Sequence, residues 1–460
     1  MNSPAGFPGA AEMPMGAAPI AALPAPAGAR PRRRRDHLAT TAWALMANTG
    51  LTSLTGMAFW IVASGVYSPQ QVGTSAALIS AMMLLSVISQ LDLAMGISRL
   101  LPQVMTHRWR AVLGAYGVTA AVGIPLTAVF VVVAPRLSTS FRFLGHFGFL
   151  SIALMAAVVL WNVFALQDAV LTSARWSPVV PLENGIFGVI KLGLMVLLVH
   201  HFAGQGIFLG WVLAMAVMLV PVNSLIFGRV LATPGGTTSG DASAPVSALP
   251  IANRASVARY LAGDYAAGLF NQGYTALLPL LVLAVLGREA NAYFYIVFTI
   301  ALAGRAVAQS MSTALVVEGS HREAGVASMA RLSVIRYAKY ALLPLAVVFV
   351  GAGLVLKPFG AAYVHHGTTL LRLFLAATVP HAVISLYLAV ERVRARVGRV
   401  LAVEALIVVL VTIGALAGMH RFGLAGIGMA WLGAHTLVAV MVAPAFWKAC
   451  RQRPAPAAAS

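Results

Sequence analysis

An all-α membrane architecture of about twelve transmembrane helices, set in two six-helix lobes around a central cavity, is the fold class that this 460-residue sequence predicts. Three observations predict it. Hydrophobic residues make up 60% of the chain and charged residues 9%, against about 25% charged in ordinary soluble domains. Apolar runs long enough to cross a bilayer, about 20 residues each, follow one another from residue 40 to residue 446. The second half of the chain also echoes the first. This composition excludes a soluble globular enzyme and a disordered chain. A net charge of +19 would suggest nucleic acid in a soluble protein. Here the basic residues lie between apolar runs, as the positive-inside rule requires, and no nucleic-acid partner is expected. The single cysteine, Cys450, excludes a disulfide framework and a Cys-rich metal site.

In chain order, residues 1–37 are rich in Pro, Ala, Gly and Met and read as a disordered cytosolic tail ending in Arg32-Arg33-Arg34-Arg35. The N-terminal lobe is expected over 38–230, with spans at 40–66, 72–98, 111–134, 148–172, 178–199 and 206–229. Residues 231–254, with Thr233-Pro-Gly-Gly-Thr-Thr-Ser-Gly-Asp241, read as a cytosolic linker. The C-terminal lobe is expected over 255–447, with spans at 257–286, 291–316, 338–356, 367–390, 398–418 and 424–446, and 448–460 as a second cytosolic tail. Spaced basic and apolar residues in 319–337 predict a short helix lying on the cytosolic face.

Orientation follows from lysine and arginine. With the N-terminus inside, the tail, Arg108, Arg110, Arg254, Arg331, Lys339 and the run Arg392, Arg394, Arg396, Arg399 all fall on the cytosolic side. Only Arg136, Arg142, Arg288, Lys357 and Arg421 fall outside. Both termini are therefore expected in the cytosol, and the Ala/Gly/Arg-rich, Lys-poor composition suggests a bacterial inner-membrane protein.

The internal echo lies at an offset near 220 residues. His200, Phe202, Gly206, Ile207 and Trp211 match His420, Phe422, Gly426, Ile427 and Trp431. Earlier in the halves the offset drifts, pairing Asn48 with Asp264. An even number of spans per half gives both halves the same orientation, a parallel repeat of the kind that builds transporters around a path between lobes.

No phosphate-binding G-x-x-x-x-G-K-[S/T] loop and no H-E-x-x-H pair occurs, and no long extracytosolic loop could carry a catalytic domain, so the chain is expected not to be an enzyme. The adjacent pairs His200-His201 and His365-His366 read as solvated loop ends. The informative residues are the ionisable ones inside spans, each costing about 2.5–3.5 kcal/mol or more at the bilayer centre. Arg305 and Lys191 lie mid-span, and Arg372 lies near the outer third of its span. A guanidinium at that depth can take a diphosphate through paired hydrogen bonds. Asn271 and Gln272 follow Asp264 by two turns, and Asp264 and Asn271 share a face. Pro279 is expected to interrupt that helix. The expected substrate-binding set is Arg305, Lys191, Arg372, Asn271 and Gln272. Asp264, Asn48, Asp92 and Glu183 are the gating or ion-coupling candidates. Together they describe a mixed-charge cavity whose cations suit an anionic head group and whose carboxylates suit H+ or Na+ as coupling ion, with no other cofactor and no metal.

The stretch Phe59-Trp60, Tyr67-Ser-Pro-Gln-Gln-Val-Gly73, Ala77-Leu-Ile-Ser-Ala-Met82, Gln90-Leu-Asp-Leu-Ala-Met-Gly96 and Arg99-Leu-Leu-Pro102 resembles the opening of bacterial polysaccharide biosynthesis proteins. These are the O-antigen-type lipid-linked oligosaccharide flippases of the multidrug/oligosaccharidyl-lipid/polysaccharide exporter superfamily. At Asp92 the sequence departs from the family, where glycine is more usual, so the resemblance assigns that residue no role. It implies two six-helix lobes opening alternately to each side. It also implies a polyprenyl-diphosphate-linked saccharide as cargo, with membrane lipids, a polysaccharide polymerase and glycosyltransferases as partners. A cation-coupled multidrug or metabolite exporter of the same superfamily is the rival expectation. A membrane scaffold or sugar-transferring enzyme is a more distant one.

Overall fold

A computed structural model describes residues 31–101, 107–174, 176–202, 204–231, 254–321, 326–394 and 396–451. The linker expected at 231–254 falls almost wholly outside them, as do residues 1–30. The described chain is helical apart from turns. Helix α1 spans Pro31–Val66, so residues 31–37 are helical and do not belong to an unstructured tail. Ser68 then caps α2, Pro69–Ser89. Its hydroxyl accepts the Gln71 amide, while Gln71 Oε1 accepts the Ser68 amide at 3.0 Å. Proline at the first helical position completes this start signal.

The second expected span, 72–98, is broken. Leu91 and Asp92 adopt left-handed φ of 49° and 56°, and the short α3, Leu93–Leu100, follows. Asp92 is thus a half-buried residue at a helix break, not a residue inside a span. Asp tolerates this backbone better than most residues. Helices α4 (Arg108–Leu137), α5 (Phe149–Ser173), α6 (Val179–Leu197) and α7 (Gly206–Leu225) complete the first half. The second half holds α8 (Arg254–His321), α9 (Val326–Val350), the short α10 (Ala352–Leu356), α11 (Ala361–Val393) and α12 (Val397–Arg451).

Two of these helices are hairpins. At about 1.5 Å per residue, the 68 residues of α8 and the 55 of α12 far exceed a bilayer core of about 30 Å. α8 turns at Gly287 (φ 88°, ψ −175°) and α12 at Gly423 (φ 56°, ψ −134°), backbone values open to glycine alone at low cost. We call the arms α8a and α8b, α12a and α12b. Nine helices among the described residues are long and apolar enough to cross a membrane. Two of those are double, and α1 adds the apolar stretch Gly50–Val66, which restores the twelve crossings predicted. Pro279 does not interrupt α8, whose non-helical residue is Gly287. The surface helix expected over 319–337 is likewise not separate. Residues 326–337 run straight into the ninth span as α9. His365 and His366 are not in a loop either. They lie in the first turns of α11, with the His366 ring stacked 4.7 Å from Tyr293.

The repeat is written in the backbone. At the turn joining α5 to α6, the Ala174 amide donates to Val170 O (2.9 Å), Trp176 to Leu171 O (2.8 Å) and Val179 to Trp176 O (3.0 Å). At the turn joining α11 to α12, 220 residues later, Arg394 donates to Val390 O (3.1 Å), Arg396 to Glu391 O (2.9 Å) and Arg399 to Arg396 O (3.1 Å).

The halves meet along α2 and α8, and most tightly at one end. A Cβ on Gly73 would collide with the Arg288 carbonyl, and Asn291 Nδ2 donates to Gly73 O at 2.8 Å. Trp60 packs on Tyr295 at 4.9 Å, Ser138 Oγ donates to Ala284 O at 3.0 Å, and Arg288 lies over the Phe143 ring. At the opposite end, which carries the chain termini, Tyr265 OH reaches Ile88 O at 2.8 Å. There residues 50–54 of α1 and Gln309, Ser310 and Thr313 of α8b are exposed. Close backbone contact at the Gly73 end and exposed residues at the terminal end are the arrangement that a cleft open toward the terminal end requires.

Candidate functional site

The C-terminal lobe holds a small pocket lined by Asn271 and Tyr274 of α8a, Arg305 and Gln309 of α8b, His381, Ser385 and Arg392 of α11, and Glu404 and His435 of α12. Arg305 is its central charge. Its guanidinium lies 5.2 Å from the Trp431 ring and 5.9 Å from Tyr274. Arg305 Nε donates to His381 Nε2 at 3.3 Å. A guanidinium has no lone pair to offer, so that imidazole nitrogen is the acceptor and the ring proton sits on Nδ1. Ser385 Oγ, 3.2 Å from the same nitrogen, then also donates to it. His435 Nδ1 lies 2.8 Å from the Trp431 carbonyl, which can only accept, so Nδ1 carries the proton there. His381 Nδ1 and His435 Nε2 are buried without a hydrogen-bond partner among the described residues.

No ion pair joins Arg305 to a carboxylate among the described residues. Glu404, the acidic group of the pocket, is already engaged. Asn271 Nδ2 donates to both its oxygens at 3.2 and 3.3 Å, and Arg392 lies at 3.6 Å. Held on aromatic faces and a neutral imidazole, the Arg305 charge has spare donors for an anion.

The equivalent region of the N-terminal lobe carries different chemistry on the same scaffold. Trp161 stands where the repeat places His381, Asn184 where it places Glu404, and Asp168 where it places Leu388. Asp168 Oδ2 accepts from Asn184 Nδ2 at 3.4 Å. Asp168 Oδ1 and both oxygens of Glu183 are buried without hydrogen-bond partners. Buried carboxylates that form no ion pair among the described residues are candidate places for a proton or a small cation. Lys191 does not neutralise them. Its ammonium sits in a box of rings, 3.9 Å from Trp211, 4.7 Å from Phe59 and 5.1 Å from Phe187.

Of the residues the sequence put forward, Arg305 and Asn271 share the pocket, with Gln309 one turn from Arg305 as its spacing predicts. Lys191 is a correction. It belongs to the other lobe and is sealed by aromatic rings, because Trp211, Phe59 and Phe187 supply a substitute for hydration at that depth. Arg372 is a second. It is exposed and caps the end of α9, donating to Phe349 O (3.2 Å) and Val350 O (3.4 Å), the orphan carbonyls every helix end must satisfy. Gln272 is exposed and outside the pocket, since neighbours on a helix point about 100° apart. Asn48 lies on α1 with its side-chain oxygen buried and unbonded. Glu183 is buried as just described. The Asp264 side chain lies outside the described residues. Sequence reasoning passed over His381 and His435, although imidazoles deep in apolar runs fall under the same rule that singled out Arg305.

Because three rings grip Lys191, Lys191→Ala is expected to lower stability by about 2–4 kcal/mol, the scale of a desolvated cation–π contact plus a core truncation. Lys191→Met fills the box without a charge and is expected to cost far less. Thermal unfolding of the purified variants checks both.

No family model matches the chain, and no curated protein is detectably similar in sequence. Solved structures are similar in fold. An inward-facing multidrug resistance MATE transporter of the MOP superfamily aligns with a TM-score of 0.61 at 15% identity, over 86% of this chain and 96% of that one. The lipid II flippase MurJ in an inward closed conformation gives 0.61 at 9% identity, over 89% and 90%. An outward-facing MATE transporter of that superfamily gives 0.53 at 13% identity, over 90% and 96%. The chain therefore has the two-lobed, all-helical fold of the MOP-superfamily exporters and flippases.

Proposed function

We propose that the protein is a flippase that carries a polyprenyl-diphosphate-linked saccharide across the bacterial cytoplasmic membrane for envelope polysaccharide assembly. Both termini lie in the cytosol, and the open end of the cleft faces that side. The observation that carries the reading is Arg305, a guanidinium in the middle of a predicted span, in no ion pair with a carboxylate among the described residues and lining a pocket with Asn271 and Gln309. An anionic head group compensates that charge, while the lipid tail stays in the bilayer. Asp168 and Glu183 of the other lobe take the coupling ion, H+ or Na+. The lobes then rock about the α2–α8 contact, exposing the pocket to each side in turn. No chemical step on the cargo is required, and the polymerase and glycosyltransferases that make and use it act outside this chain.

A second reading is a cation-coupled drug exporter. The fold suits it equally, and the Asp168–Glu183 pair favours it. Proteoliposomes separate the two. We expect a fluorescent polyprenyl-diphosphate saccharide to become accessible on the opposite leaflet only when the protein is present. Efflux of a cationic dye without movement of the lipid would replace the flippase by the exporter.

A further inference from the structure

We propose that the turn between α11 and α12 is a loading site where a lipid diphosphate head group is first captured and then passed inward by way of Arg392. The inference rests on the flippase reading and adds a second anion site to it.

Glu391 is the organising group. Its carboxylate is 3% exposed and lies 4.0 Å from Arg394, 3.6 Å from Arg396 and 3.5 Å from Arg399. These are ion-pair distances too long for hydrogen bonds. Among the described residues, Arg396 and Arg399 make no hydrogen bonds through their guanidinium groups, and about half of each side chain is open. Arg394 has a further partner besides Glu391, which leaves Arg396 and Arg399 as the two open cations of the group. A diphosphate diester carries two negative charges and an ordinary phospholipid phosphodiester one, so the match is to the diphosphate. Arg392 joins this outer tier to the inner pocket. It lines that pocket together with Arg305 and holds Glu404 at 3.6 Å, again without a hydrogen bond.

The molecule contains its own control. The α5–α6 turn has the same three backbone hydrogen bonds 220 residues earlier. There Leu171, Thr172, Ala174, Trp176 and Val179 occupy the places of Glu391, Arg392, Arg394, Arg396 and Arg399. That turn has Arg175 in its sequence but no carboxylate at Leu171 and none of the arginines at the matching places, so the backbone turn does not demand the cluster around Glu391. A topogenic role alone would not require a buried carboxylate to gather three guanidinium groups at one point. The tier also appears only on the lobe whose pocket holds Arg305.

The test uses the full-length protein in nanodiscs of zwitterionic lipid, with farnesyl diphosphate as probe and stopped-flow tryptophan fluorescence as readout. Exposed steering charges act on association rates. Arg396→Gln/Arg399→Gln is expected to slow association about tenfold, leave dissociation nearly unchanged and flatten the salt dependence. Arg396→Lys/Arg399→Lys is expected to recover much of the rate. An unchanged association rate in the Gln variant, with binding still lost in Arg305→Gln, would overturn the loading site and leave the flippase reading standing. Absence of farnesyl diphosphate binding by the wild-type protein would remove that reading and the loading site with it. Equal competition by phosphatidylglycerol added to the nanodiscs would make the tier a general phospholipid contact and overturn the proposal.

Discussion

Arg305→Gln is expected to abolish flipping in proteoliposomes and to weaken binding of a prenyl diphosphate at least about 100-fold, the scale of losing one partner of a desolvated charge pair. The variant should still fold. Arg305 forms no ion pair with a carboxylate among the described residues, and Glu404 keeps Asn271 and Arg392. His381 Nε2 keeps Ser385 as donor. No buried charge is orphaned, so the steep penalty of breaking an internal salt bridge does not arise. Arg305→Lys keeps the charge but not the fork of donors, and should recover only part of the binding. Size-exclusion profile, thermal midpoint and lipid-flipping rate, measured on the same preparation, separate the effects. Flipping at the wild-type rate by Arg305→Gln would remove this residue from the substrate path.

Gly73→Leu is the second large effect. At Gly73 the α2 backbone comes so close to Arg288 and Ala292 that even a Cβ does not fit. Small residues at such crossings let helices touch in a membrane. A leucine there holds the lobes apart at the closed end while leaving each lobe's own packing intact. Alternating access needs each end to close in turn, so transport is expected to fall to background with folding preserved. The conformational readout is a cysteine placed at Gln309, which is exposed in the cleft. Cys450, the single native cysteine, is first changed to serine. Labelling of Gln309→Cys by a membrane-impermeant maleimide from the terminal end should drop several-fold when Gly73→Leu is added. Unchanged labelling together with normal transport would show that this contact is not the seal.

The sequence determined the class of protein, the number of crossings and the repeat, because each has a local or additive cause. Hydrocarbon tolerates only helices whose backbone groups are satisfied internally, so apolar runs reveal spans directly. The glycines that split α8 and α12 sit in the gaps between the predicted spans. Depth alone made Arg305 a candidate, and the structure sets Asn271 in the same pocket. It could not tell that Arg372 and Lys191 lie outside that pocket, since depth along one helix says nothing of which neighbours face it. Arg372 is used up by the carbonyls ending α9, and Lys191 by three rings drawn from α1, α6 and α7. Asp92 misled for a local reason, a pair of left-handed residues that ends α2 early.

Only the tertiary structure decided which charges meet. It set His381 and His435 beside Arg305 and paired Asp168 with Glu183. It also gathered three arginines around Glu391 at a turn whose twin in the other lobe has Leu171 in place of that carboxylate. These groupings join residues tens to hundreds of positions apart. They depend on helix rotation and packing, which a one-dimensional pattern of polar and apolar residues leaves open.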